Sequence, residues 1–423
     1  MKENLLHFIW KLKLFSSNNM VTTSGEELQI ISNGLENLNS GPDFFNAKIV
    51  INNQIWAGNV EIHIKSSDWY AHNHEIDENY DSVILHVVWE HDVEIYRNNN
   101  EAIATLELKN YISKILLNNY EELFRKNSNW INCEKDIKSI DSFVLENWLE
   151  RLYFERLEQK SLFINNVLIS NLNNWEATLF ILLAKSFGLK VNGEAFLNFA
   201  NSFDFSIVRK VSNNLEQLEA LFFGQAGLLS FDSESVYFNK LKQEYDYLKV
   251  KFKLDSISKG QVHYFRLRPN NFPTIRLSQL AVLFNKNQLL FSKIIETESL
   301  DQFYKLFEVS TLPFWETHYT FETTSKKSTK KLTKSFVDLL LINTIIPLKF
   351  VYLKSLGKSD FSSIYLILEQ IKPEKNSIIS NFEALKIKSS NAFKTQALLQ
   401  LKNEYCSKQL CLNCAIGKEL LER

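Results

Sequence analysis

The apolar pattern of this sequence changes period once, and that change limits the fold more than any other feature. After an opening stretch with Leu5, Ile9 and Leu12 at helical spacing, the apolar residues alternate or form short runs, as they do in strands. The predicted strands are residues 28–32, 45–52, 55–65, 82–90, 93–97 and 102–108. Beyond them the spacing is helical again. We therefore predict an α+β protein, with a mixed α/β domain over residues 1–130 and a mostly α-helical domain over residues 131–423.

Charge and hydropathy exclude some classes of protein. The 48 basic and 49 acidic residues leave a formal net charge of −1, so any surface that binds nucleic acid or membrane must be a local patch. Lys11 and Lys13 interrupt the N-terminal apolar run, which is unlike a secretory signal. The longest later apolar stretch, residues 337–348, is too short to span a bilayer. The sequence thus predicts a cytoplasmic protein without membrane contact.

The densest polar chemistry lies on the third predicted strand and just before the second. Side chains alternate across a strand, so Glu61, His63 and Lys65 share one face. Because the opposite face is apolar, we expect this face to meet solvent or a cleft. A short turn at residues 52–54 joins the two strands as a hairpin, which brings Asp43 close to Glu61.

Two neighbouring carboxylates repel each other and favour a cation between them. We predict that Asp43 and Glu61 bind Mg²⁺ or Mn²⁺, which suit oxygen ligands, and that His63 or Lys65 positions a water molecule. One alternative is that Glu61 and Lys65 form an exposed ion pair of little energetic value and without a role. Another is a binding site without turnover.

Histidines are crowded in the same part of the chain: His63, His72, His74, His86 and His91. His72 lies in a polar segment and is a candidate catalytic proton carrier near pH 7. The histidines and aspartates of that segment are also a candidate transition-metal site. His86 lies within an apolar strand, where a hydrogen-bonded core histidine is commoner than a catalytic one.

Four cysteines form a second candidate metal site. Cys406, Cys411 and Cys414 have the spacing C-x4-C-x2-C, and Cys133 is the only other cysteine. Four thiolates suffice for a tetrahedral Zn²⁺ site or an iron–sulfur cluster. The alternative is a set of buried free cysteines that act as small hydrophobic residues.

The segment RLRPNNFPTIR carries three arginines around two prolines: Arg266, Arg268 and Arg276. Guanidinium groups bind phosphates through paired hydrogen bonds, so these are candidate nucleic-acid-binding residues. Ion pairs with the many glutamates of the helical domain are an equal alternative.

The order of the predicted elements is a helix, three strands, a connection and a strand, with Pro42-Asp43 at the second strand and Glu61-Ile62-His63 on the third. In this it resembles the PD-(D/E)XK nuclease superfamily. The resemblance implies a restriction-endonuclease-like core in which Asp43 and Glu61 bind metal. The sequence departs from the pattern at His63, where lysine is usual; Lys65 lies one pleat further on and is the candidate replacement.

Further motifs cover nearly the whole chain: GPDFFNA, NVEIHIKSSDWYAH, ILHVV, FGQAGLL, RLRPNNFP, FWETHY and YCSKQLCLNCAIG. With them the sequence resembles the bacterial family catalogued as domain of unknown function 2851, which brings no assigned reaction. The residues themselves predict a metal-dependent nuclease or phosphodiesterase that acts on DNA or RNA. Two alternatives stay open: a non-catalytic nucleic-acid- or protein-binding module on the same scaffold, and a structural interaction protein.

Overall fold

The computed structural model describes residues 2–125, 129–257 and 260–423. They form two compact units, of which the first comprises Met1–Trp148 with Lys402–Arg423 and the second comprises Leu149–Leu401. The units therefore do not divide at the predicted boundary, residue 130. The C-terminal segment with its three cysteines belongs to the first unit, where its last helix packs on helix Lys114–Phe124.

One mixed sheet forms the centre of the first unit. Its strands within the described residues are Leu28–Ser32 (β1), Leu35–Glu36 (β2), Phe44–Ile51 (β3), Gln54–Lys65 (β4), Val83–Glu90 (β5) and Thr105–Glu107 (β6). The order is β1-β3-β4-β5-β6, with the two-residue β2 beside β3. Strand β3 is antiparallel to β1 and β4, whereas β4, β5 and β6 are parallel.

Helices make up most of the remaining chain. In chain order they are Glu3–Leu12 (α1), Asp68–Ala71 (α2), Lys114–Phe124 (α3), Ser142–Ser170 (α4), Trp175–Phe187 (α5), Leu189–Asn201 (α6), Phe205–Val211 (α7), Leu215–Gln225 (α8), Val236–Phe252 (α9), Pro273–Lys286 (α10), Leu290–Glu296 (α11), Leu300–Leu306 (α12), Lys334–Leu340 (α13), Ile346–Ser355 (α14), Ser362–Gln370 (α15), Ser377–Ala384 (α16), Ala392–Gln400 (α17) and Ala415–Glu422 (α18). An α+β protein with an N-terminal mixed sheet and a mostly helical remainder is thus confirmed.

One predicted strand is wrong. Residues 93–97 do not form a strand, and only an isolated bridge joins Tyr96 to Ala102. The apolar signal there has another cause: Ile95 is buried against Trp69 and Tyr80, so a single packed side chain produced an apparent alternation.

The β3–β4 hairpin sets the position of the acidic residues. Its turn consists of Asn52 and Asn53, both with positive φ (46° and 65°), the conformation that favours asparagine in two-residue hairpin turns. The register places Phe44 opposite Val60. Asp43, just before β3, therefore lies beside Glu61, as the sequence predicted.

Helix α1 packs on β4 and covers one side of the sheet. Leu5, Leu6 and Ile9 are buried, and the helix ends at Lys13 in a left-handed conformation (φ 54°). Glu61 and His63 are only 4% and 2% exposed, so of the two expected surroundings, solvent or a cleft, open solvent is wrong. Elements packed over the sheet enclose that face instead.

The second unit is helical, and its helices approach each other closely. A Cβ atom on Gly224 of α8 would lie 2.1 Å from the Tyr245 ring of α9, so only glycine fits there. The continuous helix Lys334–Ser355, which includes a π-helical turn at Leu341–Ile345, has the length and hydropathy of a membrane span. It is longer than the predicted apolar stretch, but 72% of its apolar window is buried within the protein, as in a core helix.

Candidate metal centre

Two carboxylates meet where β3 begins beside the middle of β4. The backbone N–H of Asp43 donates to Glu61 Oε2 (3.1 Å), and the backbone N–H of Ile62 donates to Asp43 Oδ2 (2.9 Å). These two bonds fix both carboxylates at one end of the hairpin. The structure therefore brings together the two predicted acidic residues.

Two histidines lie beside the second carboxylate oxygen of Glu61, and a third histidine adjoins one of them. Glu61 Oε1 lies 3.4 Å from His74 Nε2 and 3.6 Å from His63 Nε2. His63 Nε2 also lies 3.0 Å from His72 Nδ1. Ligand atoms of His63, His72 and His74 all lie within 4.8 Å of one another, a spacing at which they could hold a metal ion.

The spacing of these donors fits a small divalent ion. Bonds of about 2.0 Å in a tetrahedral site place ligand atoms about 3.3 Å apart, and Glu61 Oε1 has imidazole nitrogens at 3.4 and 3.6 Å. His74 Nε2 is buried, and its ion-pair contact with Glu61 Oε1 does not have hydrogen-bond geometry. A metal ion at this point would give both atoms a partner.

The connection between β4 and β5 positions His72 and His74. Helix α2 ends at Ala71, and Asn73 takes a left-handed conformation (φ 59°) that turns the chain into a 3₁₀ helix at His74–Ile76. Trp69 is buried and anchors this connection in the core. The ring of Tyr80 stacks on His74 with a centroid distance of 3.8 Å. Packing thus leaves the His74 side chain only 10% exposed, whereas His72 is exposed to solvent.

His86 supports the site from the next strand. The parallel register pairs Glu61 with His86, and His86 Nε2 lies 2.8 Å from His63 Nδ1. His86 is fully buried, as predicted for a core histidine. A metal-binding histidine commonly donates its other ring N–H to such a partner, which fixes its orientation.

Burial keeps the inner histidines neutral. It lowers the pKa of His63 to about 3, with further lowering by the charges of His74 and His72. Burial also lowers the pKa of His86 well below its usual range. Because neutral imidazole is the form that binds metals, His63 is available as a ligand at every physiological pH.

The charge on Glu61 is costly without a cation. Burial raises its pKa; the contact with His74 opposes this effect, and the charge of Asp43 adds to it. A divalent ion beside the carboxylate would lower the pKa of Glu61, because an opposite charge favours the ionised form. The electrostatics therefore agree with the donor geometry.

His7 of α1 also belongs to this site, and the sequence analysis missed it. Its Nε2 lies 3.3 Å from Asp43 Oδ2. Burial lowers the pKa of His7, but the hydrogen bond and the charge of Asp43 outweigh burial, so the net shift is upward. The helical spacing around His7 indicated an apolar face but could not show which strand that face meets.

Lys65 lies outside the buried group. Its side chain is exposed at the end of β4, and its backbone N–H donates to Asp68 Oδ2 (2.9 Å). Of the residues predicted for this site, the structure brings together Asp43, Glu61, His63 and His72, but not this lysine.

The three arginines predicted to bind nucleic acid lie in the second unit and differ in exposure. Arg266 and Arg268 are exposed. Arg276 is buried, where it donates to Gln279 Oε1 (2.8 Å) and Asn271 Oδ1 (2.6 Å). These contacts occupy the Arg276 guanidinium within the protein, so it is not presented to a phosphate.

Comparisons with known proteins give a family for this chain. Residues 3–377 match the family described as "Protein of unknown function (DUF2851)". Searches of curated proteins and of solved structures returned no match. The match covers most of the 423 residues, including both carboxylates and all the histidines of the candidate site. The chain therefore belongs to the DUF2851 family.

Proposed function

We propose that this protein is a metal-dependent hydrolase that cuts phosphodiester bonds in nucleic acid. The observation that carries the proposal is the position of Glu61 beside Asp43, with His63 Nε2 and His74 Nε2 at 3.6 and 3.4 Å from Glu61 Oε1. A ligand set of two histidines and one glutamate is typical of catalytic zinc sites, in which one coordination position stays open. The exposed His72 borders this position.

The choice of phosphodiesters as substrates rests on the layout of the first unit. The chain runs from α1 through the antiparallel strands β1 to β4 and the α2 connection to β5, which is parallel to β4. Asp43 immediately precedes β3 and Glu61 lies on β4, which are the second and third of the long strands, as the resemblance to PD-(D/E)XK nucleases predicts. This support is an analogy of fold and motif.

The donor set favours a transition ion over Mg²⁺. Imidazole ligands suit Zn²⁺ and related ions, whereas Mg²⁺ prefers oxygen ligands and keeps several waters. Of the two ions predicted from the sequence, Mn²⁺ is the better fit, and Zn²⁺ fits equally well. An ion at this position would polarise a phosphoryl oxygen and lower the pKa of a bound water.

The protein's own residues have distinct tasks in this proposal. Glu61, His63 and His74 hold the ion. Asp43 is fixed by the Ile62 N–H and beside His7, so it can orient a water or accept its proton. His72 is exposed and adjoins His63, which suits it to exchange protons with solvent.

The second candidate is a metal-stabilised binding module without turnover. Two observations favour it: Glu61 and His63 are almost completely buried, and Lys65 lies outside the group. A buried ion without access for substrate would stabilise the unit but would not cut nucleic acid.

Cleavage assays separate the two candidates. Full-length protein is incubated with Mn²⁺ or Zn²⁺ and labelled single- and double-stranded DNA and RNA. We expect cleavage by the wild type, and a decrease of at least about 100-fold in Glu61→Gln and Asp43→Asn. His91→Gln is the matched control, because His91 lies in the same unit and its side chain pairs with the exposed Glu94 (3.2 Å).

The outcomes are distinct. Activity in Glu61→Gln equal to that of the wild type would contradict the proposed site. Binding of nucleic acid without cleavage under all ions would favour the second candidate.

A further inference from the structure

All four cysteines of the chain lie in the first unit, although Cys133 is more than 270 positions from the other three. None forms a disulfide; Cys133 and Cys414 are buried, and Cys406 and Cys411 are partly buried. The side chain of Asn132, the residue before Cys133, is hydrogen-bonded to Cys411 Sγ, so the Cys133 segment lies beside the C-terminal cysteines. The fold thus brings together the two distant segments that carry the four cysteines.

An N–H group is directed at one of these sulfurs: Asn132 Nδ2 donates to Cys411 Sγ (3.5 Å). A neutral thiol is a weak acceptor, whereas a thiolate accepts such a bond strongly. This donor therefore suits a Cys411 sulfur that carries negative charge.

Metal binding removes the proton from a thiol and makes it a thiolate at neutral pH. A metal centre would therefore give the Asn132 donor a charged acceptor at Cys411.

The spacing of the sulfur atoms distinguishes between kinds of centre. Four thiolates on one Zn²⁺ ion lie about 3.8 Å apart, because each Zn–S bond is about 2.3 Å. Within the described residues, the histidine nitrogens of the candidate site form a group of three within 4.8 Å, but the cysteine sulfurs do not. A cluster of several iron atoms holds its thiolates farther apart than one ion does.

We propose that Cys133, Cys406, Cys411 and Cys414 hold a [4Fe–4S] cluster that fastens the C-terminal segment to the sheet-containing unit. The cluster has a structural role here, since it joins Lys402–Arg423 to the chain before α4. Close packing supports the same junction: a Cβ atom on Gly417 would lie 2.1 Å from the Cys411 carbonyl oxygen. This centre is separate from the histidine site and does not depend on the proposed hydrolase activity.

The test begins with the full-length wild-type protein, purified without oxygen from cells grown with ⁵⁷Fe. Iron and acid-labile sulfide are measured, and Mössbauer spectra identify the cluster. We expect about four iron and four sulfide per chain, with the visible absorption of an iron–sulfur cluster. Stoichiometric zinc without sulfide, or protein without either metal, would overturn the proposal.

Variants then identify the ligands. We expect the iron content per chain of Cys133→Ser and of Cys411→Ser to be at least about 10-fold lower than that of the wild type. Ser407→Ala is the matched control, because Ser407 is exposed and adjoins Cys406; it should retain the wild-type iron content. Full iron content in soluble Cys133→Ser would exclude that residue as a ligand and contradict the four-cysteine centre. If the cysteine variants are insoluble, the wild-type iron and sulfide content still decides between cluster, zinc and no metal.

Discussion

Each unit of the protein contains a buried glutamate, and the two differ in their partners. Glu219 of α8 is fully buried, and it accepts hydrogen bonds from the Tyr237 hydroxyl and from Trp315 Nε1 (2.8 Å). Glu61 of β4 is almost as buried, but its Oε1 faces imidazole nitrogens at 3.4 and 3.6 Å. Burial raises the pKa of both carboxyl groups.

The difference shows that burial and a shifted pKa do not by themselves mark a functional site. Glu219 has a complete set of fixed donors, so it ties α8 to the aromatic residues around it. Around Glu61 the neighbours are imidazoles whose spacing could hold a metal ion, and the contact of His74 Nε2 with Glu61 lacks hydrogen-bond geometry. We therefore expect Glu219 to serve stability and Glu61 to serve metal binding and catalysis.

The largest expected effect is on turnover in Glu61→Gln. The amide keeps an oxygen that can accept the Asp43 N–H but loses the charge that binds the ion, so we expect cleavage to fall by about 10³-fold. Stability without metal should stay within about 1 kcal/mol of the wild type or increase, because the variant removes a buried charge. Cleavage assays and urea unfolding measure the two effects. Strong destabilisation without loss of cleavage would show that Glu61 serves stability rather than catalysis.

Glu219→Ala should show the opposite pattern. The substitution leaves the Tyr237 hydroxyl and the Trp315 indole N–H without their acceptor, so we expect a loss of about 3 kcal/mol in the free energy of unfolding. Metal affinity of the folded protein should not change. Glu219→Gln keeps one acceptor oxygen and is the control, with an expected loss of about 1 kcal/mol. Wild-type stability of the alanine variant would show that this carboxylate is not structural.

A third prediction concerns pH. The pKa of His63 falls from its ordinary value of 6.5 to about 3 on folding, so the unfolded chain binds the proton first as pH falls. Stability of the metal-free protein should therefore decrease as pH falls below 6.5, by about 2 kcal/mol between pH 6.5 and 5 for one such group. Urea unfolding at a series of pH values measures this slope. His63→Asn should reduce the slope, whereas a slope equal to that of the wild type would show that His63 is not held neutral.

His72→Gln tests whether the exposed histidine carries protons. We expect cleavage to fall by roughly 10-fold to 100-fold with a changed pH profile, whereas Mn²⁺ affinity should change by less than in His74→Gln. A pH profile like that of the wild type would indicate that His72 has no part in proton transfer.

The smallest effect is expected for Lys65→Ala. Because Lys65 is exposed and outside the buried group, cleavage should fall by no more than about 3-fold. A decrease like that of Glu61→Gln would show that the lysine reaches the site when substrate binds.

The sequence predicted the parts of the fold that depend on local patterns. Alternation identified β1, β3, β4 and β5 within one residue at each end, and the hairpin turn at Asn52 and Asn53 followed from its composition. It also placed Asp43 beside Glu61, since a short hairpin determines that pairing.

The remaining parts of the site depend on packing between distant segments. No spacing links His7 to Asp43, and their contact exists because α1 packs on β4. The sequence also left open whether Glu61 and His63 face solvent or a cleft, because alternation along one strand does not reveal what covers the strand. Likewise, the position of His74 beside Glu61 depends on the turn at Asn73.

A titration with Mn²⁺, followed by the EPR signal of the free ion, tests the central claim most directly. We expect one ion bound per chain at the histidine site of the wild type and of His91→Gln. We expect Glu61→Gln and His74→Gln each to weaken this binding by at least about 100-fold. Equal Mn²⁺ affinity in all four proteins would contradict the claim that Glu61, His63 and His74 form a metal site.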